Sequence, residues 1–244
     1  MFNRDSKVIN SIRFPLACMV VILHSYVAVQ GFHISQLEWI NLTGVETYSL
    51  VGITFSLVLT QVAVPLFFFI SGYLFYRGLT NWSWEIYFDK LKRRIRTLII
   101  PYFVWNTIQA IIIIGILFFA YILFNKPVGR ISDWFQNVGG FWGIYWANDA
   151  TATIKENIFG WISYKTYPLL VPMWFIRDLM LVVVLSPILW YFLKKTLSLF
   201  LVLTAFFWII GTGTNIPGLS FNSILFFSMG GAFFCKVYKF YWDV

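Results

Sequence analysis

Charge is what this chain has least of. Of its 244 residues only 11% are Asp, Glu, Lys or Arg, and histidine and cysteine occur twice each. With 59% hydrophobic residues, 21% aromatics and a mean hydropathy of +0.75, there is too little polar side chain to cover a water-soluble domain of this size. Cys18 and Cys235 offer neither a disulfide framework nor a metal-ligand spacing, and both read as small packing residues in apolar helices. There is no internal repeat and no nucleic-acid motif. What remains is an all-α, polytopic membrane protein.

Stretches of roughly 20 apolar residues mark membrane helices. Six are expected, at 12–29, 50–75, 95–123, 169–193, 197–211 and 223–238, forming a single bundle domain over 1–244 with one long external loop at 124–167. Arg4 and Lys7 precede the first, as in a secretory signal. That helix is long for a signal's apolar core, however, and no small-x-small cleavage site follows, so it is expected to be retained.

The distribution of Lys and Arg sets orientation. Arg4, Lys7 and Arg13 precede or open the first helix; Arg77, Lys90, Lys92, Arg93, Arg94 and Arg96 link the second to the third; Lys194, Lys195, Lys236 and Lys239 fall at later positions of the same side. The opposite side has Lys126, Arg130, Lys155 and Lys165, all in the long loop, and Arg177 begins the fourth helix. Both termini are therefore expected in the cytoplasm, with the excess positive charge facing lipid headgroups.

Ionisable groups inside apolar runs are costly and mark candidate function. Arg13 and His24 lie within about 20° of each other around the first helix and about 16 Å apart along it. Arg13 then stands at the cytoplasmic edge and His24 slightly past mid-bilayer. An imidazole there is held neutral, because burial disfavours the charged form. That suits a general base taking a proton from an attacking hydroxyl, or a nucleophile that briefly carries an acyl group. A histidine hydrogen-bonded to a neighbouring helix is an equal alternative. His33 lies in the first external loop and is assigned no role.

Further along, Pro65 is expected to kink the second helix, Ser71-Gly72 to let another helix approach closely, and Gln61 to line the same cavity as His24. The basic run 90–96 ends with Arg93 and Arg96 three apart, sharing a helical face. Guanidinium groups match phosphate in a bidentate fork, so the pair suits a phosphorylated cosubstrate. The run as a whole is read more simply as an anchor on lipid headgroups.

In the external loop Trp134, Trp142, Trp146, Trp161, Tyr145, Tyr164 and Tyr167 read as an interfacial belt. The fourth helix opens as Trp174-Phe-Ile-Arg177-Asp178, where adjacent Arg and Asp point about 100° apart and need not pair. Either then lines a cavity open to the outside.

Taken in order, Arg-x10-His in the first helix, Val-Pro-Leu-Phe-Phe-Phe-Ile-Ser-Gly in the second, Lys-Arg-Arg-Ile-Arg before the third and Trp-Phe-Ile-Arg-Asp-Leu in the fourth resemble the acyltransferase 3 family of integral membrane acyltransferases. The resemblance covers about residues 7–240. It implies a bacterial inner-membrane enzyme using acyl-CoA, usually acetyl-CoA, as cosubstrate with no bound cofactor or metal, and a hydroxyl of a surface glycan or lipid-linked sugar as acceptor. It further implies that His24 is catalytic, that Arg13, Arg93 and Arg96 bind the donor, and that Ser71 and Trp174 occupy supporting positions. Family members carry about ten membrane helices, so this chain reads as a C-terminally shortened member. The alternatives are a transporter or flippase-like permease with a polar path through Arg13, Gln61 and His24, or an inactive truncated acyltransferase.

Overall fold

The computed structural model describes residues 2–25, 62–77, 79, 82–124, 131–157 and 159–242, for the backbone alone at 2–6, 10, 13, 21–25, 124, 151, 155 and 235–242. The chain divides into two compact units, Met1–Ser71 and Gly72–Val244.

The first unit contains helix α1, Phe2–Ser25, and the opening of helix α2, Ala63–Tyr76. In α1, Leu16 is buried, whereas Cys18 is exposed, which corrects its reading as a packing residue. In α2, Pro65 is the third residue. A missing N–H in the first turn forfeits no intrahelical bond, and the kink expected within 50–75 falls against a segment, 51–61, that lies outside the described residues.

In the second unit α2 meets the final helix, α10, Phe221–Trp242. Contact is very close: a Cβ on Gly72 would lie 2.0 Å from the carbonyl oxygen of Phe227, and one on Gly231 would lie 2.3 Å from the Tyr76 ring. Small residues permit this approach, as the Ser-Gly pair predicted. Tyr76, wholly buried, stacks on Trp190 with ring centres 5.4 Å apart and donates its hydroxyl to the Ser186 carbonyl at 3.0 Å. Lys90 closes the other end of α2 by donating to the carbonyl oxygens of Phe75 and Arg77.

Helix α3, Trp84–Arg94, runs through a π-helical turn, Ile95–Ile99, into α4, Ile100–Phe124. The wide turn directly precedes Pro101, which has no N–H to donate back into the ladder, and Ile100 bonds to the Ile95 carbonyl instead. Ile111, Ile116, Phe119 and Leu123 are each more than 60% exposed on α4. Such a surface suits hydrocarbon as its solvent.

The fourth predicted span is broken. Helix α7, Trp174–Val184, preceded by a 3-10 turn at Val171–Met173, and helix α8, Ser186–Lys195, meet at 63°. Pro187 in the first turn of α8 explains the new start. Helix α9, Leu197–Ile209, follows and packs on α10. Among the described residues, one helix by length and composition, Trp84–Leu123, can cross a membrane, or two if the bent pair counts as one span; Ala63–Tyr76, Leu197–Ile209 and Phe221–Phe234 are shorter apolar helices.

The 124–167 segment departs from the all-α expectation. It holds helix α5, Ile131–Val138, helix α6, Gly140–Tyr145, and an antiparallel hairpin of β1, Asn148–Glu156, with β2, Ile162–Tyr167. Val138 and Ile144 form a small core with Ala110 of α4, and Trp134, Phe135, Tyr145 and Leu169 pack around it. Trp134 is thus a packing residue rather than part of a belt, while Trp142 and Trp161 remain exposed.

Candidate functional site

The candidate residues separate into two groups. Arg13 and His24 lie on α1, where the backbone alone is described, and Gln61 lies outside the described residues. Ser71 is buried near the middle of α2. Arg93 and Arg96 are exposed at the junction of α3 and the π turn. They stand three residues apart, Arg93 in the last turn of α3 and Arg96 in the first of the π turn.

Trp174 and Arg177 fall together at a cavity of about 310 Å³, lined by β2, the start of α7 and the loop 211–220 between α9 and α10. Arg177 and Asp178 are 3% and 2% exposed. At that depth a charge is stable only when paired and fully hydrogen-bonded. Here the long arginine side chain bridges the 100° between neighbours, and its Nη2 lies 3.2 Å from Asp178 Oδ1. The expectation that the two need not pair is therefore corrected. The rest of the guanidinium fork donates to the carbonyl oxygens of Trp146 and Thr166, while Ser220 hydrogen-bonds Asp178. Arg177 thus fastens α6, the hairpin and α7 to one another.

Two more polar residues hold the cavity walls, and sequence reasoning passed over both. Asn106, wholly buried on α4, accepts from the Leu170 amide at 3.0 Å and donates to the Tyr102 carbonyl at 2.9 Å, fixing the chain as it enters α7. Asn157 donates to Thr212 Oγ1 at 2.9 Å, tying the hairpin turn to the 211–220 loop. That loop makes two further attachments: Asn215 accepts from the Tyr164 amide at 3.0 Å, and the Pro217 carbonyl accepts from Trp146 Nε1 at 2.9 Å. Gly218, with φ of +90°, lies where a Cβ would meet Leu181, Trp146 and Arg177 at 3.0–3.2 Å. The wall is pre-formed. Asparagines in apolar surroundings were the available signal, since an unpaired amide there is costly.

Lys165 is the remaining cation. Its Nζ stands 4.9 Å from the ring centre of Trp174 and 5.2 Å from that of Tyr167. Thr166 Oγ1 and Asn222 Oδ1, both shut off from solvent in residues that line the cavity, have no hydrogen-bond partner among the described residues. The cavity therefore combines aromatic residues, a cation and polar side chains, the composition of a small-molecule site.

No solved structure matches the chain. One similar protein is the succinoglycan biosynthesis protein ExoH of Rhizobium meliloti (strain 1021), 29% identical over 132 residues, a stretch covering 54% of this chain and 30% of that protein. The match thus spans less than a third of that relative's length. Residues 7–241 match the family described as acyltransferase domain, so nearly the whole chain is accounted for. The protein belongs to the acyltransferase 3 family.

Proposed function

We propose that this protein is an integral-membrane acyltransferase that moves an acyl group, acetyl in the first instance, from cytoplasmic acyl-CoA to a hydroxyl of a cell-surface glycan or lipid-linked sugar. The observation that carries this reading is family membership over 7–241, with the Arg13–His24 spacing and the Arg93 and Arg96 positions inside the matched region. A relative named for succinoglycan biosynthesis supports a polysaccharide acceptor.

In this reading both termini are cytoplasmic and the 124–167 segment faces outward. Arg13, Arg93 and Arg96 hold the donor's phosphates, and forked guanidinium groups suit that task. His24 takes the proton of the acceptor hydroxyl while its oxygen attacks the thioester carbonyl; the C–S bond breaks, and the CoA thiolate leaves and takes up the proton. In a relayed version the imidazole nitrogen accepts the acyl group first and passes it to the hydroxyl.

The test is transfer from labelled acetyl-CoA to cell-envelope glycan by the purified protein in detergent. His24→Ala is expected to insert normally and to abolish transfer. Transfer by that variant at the parental rate removes the role given to His24. The bend between α7 and α8 resembles the broken spans of permeases. Movement of lipid-linked sugar across vesicles without any release of CoA decides for that reading instead.

A further inference from the structure

We infer that the cavity beneath the hairpin is a subsite for one acidic sugar unit of the acceptor, with Lys165 selecting its carboxylate. This rests on the acyltransferase reading for its biological meaning but not for its chemistry.

A volume of about 310 Å³ accommodates a hexose-sized ring and little more. Trp174 and Trp208 border it, and indole rings suit contact with the C–H groups of a pyranose. Charge decides between neutral and acidic sugars. Arg177 and Asp178 cancel one another, and their hydrogen bonds are consumed within the wall. Lys165, an exposed residue held over two rings and within Coulombic reach of Asp178, leaves the lining with a net positive charge. A uronate sets a second carboxylate against that charge, which a neutral hexose does not.

The attachment of the 211–220 loop through Asn157, Asn215 and Pro217 means that binding orders little additional chain. Preorganisation of this kind lowers the entropic cost of binding a small ligand.

The test uses the full chain in lipid nanodiscs without acyl-CoA, with methyl glucuronide and methyl glucoside as probes and ligand-detected saturation-transfer NMR as readout. The glucuronide is expected to bind about tenfold more tightly than the glucoside. Lys165→Met is expected to bring the two affinities together, and Lys165→Arg to restore the preference. Equal affinities in the parent, a preference that survives in Lys165→Met, or no binding of either probe overturns the inference. Because the probes report without acyl transfer, a bound glucuronide with no transferase activity would count against the proposed function alone. Transfer to glycan without this preference would count against the subsite alone.

Discussion

Arg177 and Asp178, adjacent in sequence, form an ion pair at 3.2 Å with both side chains 3% exposed. The same guanidinium reaches the Trp146 and Thr166 carbonyls, so one residue joins the end of α6 and the hairpin to α7. Removing one partner of such a pair leaves an uncompensated buried charge.

Arg177→Met is therefore expected to destabilise the fold by about 3–5 kcal/mol. The double variant Arg177→Met/Asp178→Leu should recover part of that loss, because no lone charge then remains buried. Thermal unfolding in detergent checks the pair. A double variant less stable than the single would show that the carboxylate is not the source of the cost.

The close meeting of α2 and α10 gives a second expectation. Gly72→Ala puts a methyl 2.0 Å from the Phe227 carbonyl oxygen, so the helices must separate, at about 1–3 kcal/mol or more. At Gly115 of α4 nothing lies within 4 Å, and Gly115→Ala should stabilise by about 0.5–1 kcal/mol. Opposite shifts in the unfolding midpoint of the two variants are the expected result.

Asn106→Leu removes both hydrogen bonds that steer the chain into α7 and leaves the Leu170 amide without an acceptor. A loss of about 1–3 kcal/mol should follow. It should be local, so hydrogen exchange at Leu170 should accelerate well before the protein melts.

On the donor side, Arg93→Ala and Arg96→Ala are expected to raise KM for acyl-CoA much more than they lower kcat, with Lys recovering only part, because an ammonium lacks the fork. Steady-state kinetics at several salt concentrations measures this. An unchanged KM in both variants would return the cluster to a plain lipid-anchoring role.

Much of the helical framework was legible because runs such as 95–123, 197–211 and 223–238 are apolar for longer than a soluble helix needs to be. The observed helices Ile100–Phe124, Leu197–Ile209 and Phe221–Trp242 lie close to those bounds. Trp84–Arg94 escaped notice because its charges hide it from a search for apolar runs. The break after Leu185 had a visible signal in Ser186-Pro187, masked by the continuous hydrophobicity around it. The hairpin escaped for another reason. Its strands, Asn-Asp-Ala-Thr-Ala-Thr-Ile-Lys-Glu and Ile-Ser-Tyr-Lys-Thr-Tyr, are rich enough in β-branched and aromatic residues to suggest strands, but the surrounding tryptophans drew the reading toward a membrane interface. Trp174 and Arg177 were legible as cavity residues from their motif, whereas Lys165 and Asn222 come from other elements and meet them only in the folded chain.

The single helix from Trp84 to Leu123 also acts as a depth gauge. At 1.5 Å per residue its 40 residues measure about 60 Å, twice the oily layer of a bilayer. With Ile100 at the boundary of that layer, Arg96 lies about 6 Å beyond it and Arg93 about 10 Å, the stratum occupied by phospholipid phosphates. Any soluble phosphate sought by these side chains must therefore displace the membrane's own, and occupancy should fall as the bilayer is made more anionic.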